Sequence, residues 1–244
     1  MKGFKTAAEQ QVGKNIERIF VNSSDSIEIK LENFPKYVRR QHLKRFLAMY
    51  EIFKMVLPVK GSIVDCGVFR GFSLMAWAKL STMLEPENLT RRIYGFDSFE
   101  GFPAVSEKDL SSQGAAQSGE FQTSSYEELL ELIEEYDRDR FLGHIPKVEL
   151  MRGNATETIP QFVEEHSHVL VSLLFIDFDL YAPTRAALEH FVPRMPKGAV
   201  VAFDELDNPI WPGETLAMLE TLQLNHLRIQ RLEWDPYIGY AVVG

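Results

Sequence analysis

Ser62-Ile-Val-Asp-Cys-Gly-Val-Phe-Arg-Gly-Phe-Ser73 decides the fold. A short β-rich run ends on Asp65, two glycines follow at Gly67 and Gly71, and an apolar helical pattern then begins. Glycines let the backbone turn tightly and approach a ligand, while the N–H groups of the following helix can hold an anion such as a carboxylate. The spacing is Gly-x-x-x-Gly, not the Gly-x-Gly-x-x-Gly of a pyrophosphate turn, which disfavours an NAD-dependent oxidoreductase but leaves it as an alternative. An acid ahead of the first glycine suits a cationic partner, for instance the α-amino group of a bound amino acid. The plainer reading is an ordinary strand-to-helix turn with a surface acid.

Outward from this motif, β-rich runs alternate with helical patterns, which predicts an α/β, doubly wound, Rossmann-like sheet, mostly parallel. Strands are expected at 62–66, 92–97, 147–151, 169–177, 198–204, 227–234 and 237–243, and helices at 72–84, 126–136, 155–165, 183–192 and 213–223. Asp235-Pro236 is a turn signal, so the last two strands should form a hairpin with an antiparallel C-terminal strand. Before the sheet, Leu43, Phe46, Leu47 and Tyr50 follow helical spacing and predict one helix from Pro35 to Leu57. The expected organisation is a helical extension over 1–60, acting as a lid or dimer contact, and one domain over 61–244. Lys36, Arg39, Arg40, Lys44 and Arg45 form a basic run that reads either as a solvated helix face or as a hold on the phosphates of a nucleotide-linked substrate.

Composition narrows the function. At 244 residues and 45% hydrophobic, the chain suffices for one sizeable core. A net charge of -9 argues against binding nucleic acid, whose phosphates demand a basic surface. The single cysteine, Cys66, excludes an intrachain disulfide and a Cys-only metal site, reads as a small buried filler, and makes a reduced cytoplasm the default location. No signal peptide is expected at Met1-Lys-Gly-Phe-Lys-Thr, and no apolar run approaches the roughly 20 residues that span a bilayer, so a soluble protein without membrane partners is expected.

Chemistry is concentrated where strands end. In open α/β sheets ligands bind beyond the carboxyl ends of the strands, so Asp65, Asp97, Asp177, Asp179 and the Asp204-Glu205 pair should face one crevice. Asp97, ending the second strand, can accept both hydroxyls of a ribose. Asn154 reads equally as an adenine contact and as a helix cap. Asp177 and Asp179, two apart in an extended run, should share a face with Phe178 turned away. Carboxylates so placed repel unless a cation or proton compensates, and Mg²⁺ with oxygen ligands is the simplest solution; solvated strand-end acids are the plainer one. Such an ion lowers the pKa of a substrate hydroxyl, and a neighbouring carboxylate can remove the proton. Asp179 is preferred as the base and Asp177 as a metal ligand, with the roles exchangeable. The polar loop from Ser98 to about Ser125 reads as a mobile lid or as plain disorder.

Taken together, Asp65-Cys-Gly-Val-Phe-Arg-Gly71, Gly95-Phe-Asp-Ser-Phe-Glu-Gly-Phe-Pro103, Ile176-Asp-Phe-Asp-Leu-Tyr-Ala-Pro-Thr184, Phe203-Asp-Glu205 and Trp211-Pro-Gly213 resemble the macrocin O-methyltransferase family. The resemblance covers about Gly61 to Leu219 and is nearest to enzymes that methylate a dTDP-deoxyhexose in enediyne biosynthesis. It implies a class I methyltransferase sheet, S-adenosyl-L-methionine and Mg²⁺ as cofactors, a sugar acceptor, and a homo-oligomer. Residue by residue, it implies cofactor contacts at Asp65, Gly67, Val68, Phe69, Gly71, Ser73, Asp97, Ser98, Asn154, Ala155, Asp177 and Tyr181. The metal ligands would be Asp177, Asp204 and Glu205, and Asp179 would serve the acceptor hydroxyl. Relatives often carry Asp-Asp where this chain has Asp204-Glu205, and Gly where it has Phe178. A catechol-type O-methyltransferase shares the same metal logic and remains the other alternative.

Overall fold

The computed structural model describes residues 6–112, 114, 116–223 and 227–244. The chain forms two compact units, one up to Leu47 and the other from Ala48 to Gly244, so the division falls inside a helix and not ahead of the first strand.

In the first unit, α1 (Ala7–Asn22) starts at a capping box in which Thr6 and Glu9 satisfy each other's backbone donors. Ser26 caps α2 (Ile27–Glu32). Lys30 donates to the Ser23 carbonyl and lies over the Phe20 ring, which meets Tyr37 edge-on. The single helix expected over 35–57 is broken. Phe34–Lys36 close a 3-10 turn, with Pro35 near its start where a missing N–H costs little, and α3 runs only from Arg40 to Val56. Lys36 and Arg39 therefore lie outside the helix that carries Arg40, Lys44 and Arg45, and Lys36 pairs with Asp25.

The second unit is built on seven strands: β1 (Ser62–Cys66), β2 (Ile93–Asp97), β3 (Val148–Arg152), β4 (Val171–Ile176), β5 (Val200–Phe203), β6 (Gln230–Leu232) and β7 (Asp235–Val242). Their order is β3-β2-β1-β4-β5-β7-β6, with β1 to β5 parallel, β7 antiparallel to β5, and β6 antiparallel to β7. Helices α4 (Phe72–Leu84), α5 (Ser125–Arg138), α6 (Ala155–Glu165), α7 (Tyr181–Phe191) and α8 (Pro212–Thr221) connect or flank them. The hairpin is present, but its turn is Glu233-Trp234, and Asp235-Pro236 opens β7 instead. Proline is tolerated at the start of a strand, where no ladder donor is lost. Among the described residues no helix is long and apolar enough to cross a membrane.

β1, β4 and β5 are buried along their whole length, as strands covered on both faces must be. On one face Val64, Cys66, Phe96, Leu174 and Ile176 pack with Phe162 of α6 and Phe191 of α7. On the other, Trp77 of α4 meets Phe175 edge-on and stacks on Phe53 of α3. Asp65 points into this second layer and is fully buried. Its two oxygens accept from Ser73 Oγ at 2.8 Å and from Trp77 Nε1 at 2.9 Å. The acid thus ties the end of β1 to α4. Replacing Trp77 by Phe keeps the ring but deprives a buried carboxylate oxygen of its donor, and urea denaturation is expected to show a loss of about 1–3 kcal/mol; an unchanged midpoint would contradict this role.

Candidate active site

The chain leaves β1 toward β2 on one side and reaches β4 and β5 on the other, which makes the β1/β4 boundary the place where a crevice opens. Backbone bonds seal its floor: Gly67 N–H donates to Phe96 O at 2.9 Å, Asp177 N–H to Cys66 O at 2.8 Å, and Asp204 N–H to Ile176 O at 3.0 Å. Gly67 has φ 91° and lies so close to Asp177 that a Cβ would overlap the Asp177 carbonyl. Only glycine meets both conditions. Two residues on, Phe69 is also left-handed, with φ 52°, which turns its N–H onto Asp97 Oδ2 at 2.7 Å. Phe99 N–H binds the other oxygen at 2.6 Å. Burial pushes the Asp97 carboxyl above its usual range, against these donors that lower it.

The resulting cavity is lined by Gly67, Phe69, Asp97, Ser98, Asn154, Ala155, Asp177, Asp179 and Glu205 among the residues singled out from sequence. Asn154 is also the cap of α6, its side-chain oxygen accepting from Thr156 N–H at 3.1 Å. Six expected site residues are not on the wall. Asp65 and Ser73 bond to each other in the interior. Val68 is buried beside Gly95, and Gly71 abuts Leu129. Tyr181 directs its hydroxyl to Glu220 at 2.6 Å, under Lys108, whose Nζ lies 4.0 Å from the ring centre. Asp204 follows the last residue of β5 and is buried.

Asp177, Asp179 and Glu205 share the cavity wall, but not as an extended run would place them. β4 ends at Ile176 and Asp179 has φ 61°, so the chain curls and Phe178 lines the cavity too. Among the described residues, no three His, Cys, Asp or Glu side chains are gathered into a set that can hold a metal ion. The expected trio of Asp177, Asp204 and Glu205 is not gathered into such a set: Asp177 and Glu205 line the cavity, and Asp204 is buried off its wall.

Glu214 closes the Trp211-Pro-Gly-Glu stretch, which reads in sequence as a pocket wall or a plain turn, and its role as a buried carboxylate is what sequence reasoning missed. It is fully buried at the third position of α8, and its Oε1 accepts from Glu205 N–H at 3.1 Å. Its Oε2 has no hydrogen-bond partner. Burial first, then Asp177, push its carboxyl well above the usual range, with Asp179 and Asp204 adding to the effect. An acid in the first turn of a Pro-led helix reads in sequence as a solvated dipole partner, which hid it.

The 98–125 loop is a packed wall, apart from Gln113 and Ala115, which lie outside the described residues. Phe102 pairs with Gly119 and Glu120 through its backbone, and its ring joins Phe121 and Trp211 in edge contacts. These three rings line the cavity. Asp109, also missed, is buried and accepts from Tyr181 N–H at 2.6 Å and from Ser106, fastening the loop to the start of α7. The Ser106-x-x-Asp109 spacing is a capping box and was the available signal. Cys66 is buried as expected, and burial raises its thiol pKa.

A parallel sheet with an antiparallel tail, flanked by helices and opening on a carboxylate-lined crevice at its switch point, is the class I methyltransferase arrangement. The chain matches the macrocin O-methyltransferase (TylF) family over residues 38–232 and belongs to it. It is a methyltransferase, and the oxidoreductase alternative falls. The crystal structure of CalS11, calicheamicin methyltransferase, is 35% identical with a TM-score of 0.93, covering 98% of this chain and 94% of that one. An apo structure of CalS11, described as a TDP-rhamnose 3'-O-methyltransferase of calicheamicin biosynthesis, is 33% identical with a TM-score of 0.85, covering 98% and 96%. The O-methyltransferase NovP, 20% identical with a TM-score of 0.64 over 82% and 79%, shares the fold. No functionally curated sequence matches.

The floor of the cavity gives a direct test. Gly67→Ala is expected to cost at least about 2 kcal/mol, since strain at positive φ adds to a backbone clash. Gly119→Ala, also at positive φ (79°) but with open space around it, should cost about 1 kcal/mol. Equal losses in urea denaturation would show that the Gly67–Asp177 approach is not what matters.

Proposed function

We propose that this chain transfers the methyl group of S-adenosyl-L-methionine to a sugar hydroxyl, with Mg²⁺ assistance, on a nucleotide-linked deoxyhexose such as a dTDP-sugar. The observation that carries the proposal is one cavity holding Asp97 on one side of Gly67 and Asp177, Asp179 and Glu205 on the other. The likeness to CalS11, a TDP-rhamnose 3'-O-methyltransferase, over nearly the whole length of both chains supports the choice of acceptor. A catechol-type acceptor rests only on fold similarity.

Gly67, Phe69, Asp97, Ser98, Asn154 and Ala155 would hold the cofactor, which supplies a methyl group on a positively charged sulfur. Asp97 keeps lone pairs beyond those taken by Phe69 and Phe99, and these suit ribose hydroxyls. The residues suit a hard divalent ion in donor chemistry, being all carboxylates, and in the orphaned Glu214 oxygen that a cation would satisfy. Asp177, Asp204 and Glu205 would hold the ion, which would polarise the acceptor hydroxyl and lower its pKa. Asp179 takes the hydroxyl proton as methyl transfer proceeds. Phe102, Phe121 and Trp211 form an apolar wall that excludes water and restricts the acceptor, where much of the rate advantage of alignment arises.

Incubation with S-adenosyl-L-methionine, Mg²⁺ and dTDP-rhamnose is expected to give a mono-O-methylated sugar nucleotide by mass spectrometry, and addition of EDTA should abolish it. Methylation of catechol instead would overturn the acceptor. Asp179→Asn should lower kcat by about 10²–10⁴-fold with cofactor affinity unchanged. Asp97→Ala should weaken S-adenosylhomocysteine binding in calorimetry by about 10- to 100-fold. Full turnover by the Asn variant would remove Asp179 as the base.

A further inference from the structure

Within that reading, on which the inference rests, Asp179 is the base, yet its backbone is left-handed, with φ 61°. An L residue keeps such a conformation only where its surroundings over-determine it. The next residue, Leu180, is the cap of α7, and its apolar side chain cannot accept from the first N–H groups of the helix.

Asp109, from the 98–125 loop, supplies the acceptor that Leu180 lacks. It is buried, and its Oδ1 accepts at 2.6 Å from the N–H of Tyr181, the first residue of α7 and two residues after Asp179. Its Oδ2 accepts from Ser106 N–H at 2.7 Å and from Ser106 Oγ at 2.6 Å, so the carboxylate is itself held on both oxygens. α8 closes on this point from another side: a Cβ at Gly213 would overlap Asp109 Oδ1 and crowd Tyr181 N and Asp179 O. Leu180 packs in a small core with Phe102 of the loop and Trp211, two residues ahead of Gly213. Three segments that line the cavity therefore converge on Asp109: the loop, the 177–180 curl and the start of α8. A second tie between loop and α8, Lys108 to Glu220 at 2.5 Å, is exposed, and surface pairs of this kind contribute little.

We propose that Asp109 is a positioning residue for the base: by capping α7 from a distant part of the chain, it fixes the curl that presents Asp179 and holds that curl in register with the aromatic wall of the acceptor site. The same carboxylate thus sets both the base and the surface against which the acceptor is aligned.

The test compares variants of the full-length protein. Asp109→Ala is expected to lower kcat on dTDP-rhamnose by about 10- to 100-fold through misplacement of the base, with S-adenosylhomocysteine affinity in calorimetry held within about two-fold because the Asp97 flank is untouched. Amide hydrogen exchange read by mass spectrometry should quicken over 177–181. Asp109→Asn keeps an oxygen for the Tyr181 N–H and should recover most of the rate. Lys108→Ala, which removes the exposed tie, should match wild type in kcat and exchange. Asp109→Ser ends one bond short of the Tyr181 N–H and takes the place of the Ala variant if that does not fold. Wild-type exchange over 177–181 in a folded Ala or Ser variant overturns the positioning role, and so does an Asn variant as slow as Ala or an equal loss of kcat in Lys108→Ala. Quickened exchange with undiminished kcat overturns it too where Asp179→Asn is impaired; where Asp179→Asn turns over fully, that result overturns the base reading instead. No turnover of dTDP-rhamnose by the wild type overturns the acceptor reading and leaves the exchange comparison to decide Asp109.

Discussion

The site depends on one close approach: Gly67, just past the end of β1, lies against the backbone of Asp177, just past the end of β4. Two chain segments can come this near only because one of them lacks a side chain and adopts a left-handed backbone. From that contact the rest follows. The turn after Gly67 presents the Phe69 N–H to Asp97, so the β2 carboxylate is fixed on one flank. The chain after Asp177 curls through a left-handed Asp179 and lines the other flank. A methyl donor and an acidic centre can then share one crevice.

Burial sorts the carboxylates into different tasks. Asp65, although it stands in the motif that defines the fold, is internal, and its hydrogen bonds to Ser73 and Trp77 fasten strand to helix. Asp109 fastens the long loop to the start of α7 through the Tyr181 N–H. Asp97, Asp177, Asp179 and Glu205 face the cavity. Glu214 has the burial of the structural group, but only one of its oxygens is hydrogen-bonded, which sets it apart from both. The aromatic wall of Phe102, Phe121 and Trp211 gives the polar loop a core of its own.

Much of this was legible in the sequence, because alternating β-rich runs, paired glycines and strand-end acids are local signals. The parallel order, the hairpin and the placement of Asp97 and Asp177 at one crevice follow from them. What was not legible depends on side-chain direction. Asp65 and Asp204 sit at strand ends as expected yet are buried off the cavity wall, since strand parity and the curl after each strand are set by tertiary packing. The Asp177–Asp179 run was read as extended because two-residue spacing suggests a strand, whereas Asp179 adopts positive φ. The Pro35 helix was overextended because periodicity after Arg40 was carried back across a 3-10 turn. The burial of Glu214 was not legible because nothing local distinguishes a buried first-turn acid from a solvated one.

The most direct test is a crystal structure of the protein grown with S-adenosylhomocysteine and Mn²⁺, with the ion located by anomalous scattering. The account predicts ribose hydroxyls on the Asp97 carboxylate and one anomalous peak bounded by Asp177 and Glu205. Nucleoside density elsewhere, or an ion remote from those carboxylates, would contradict it.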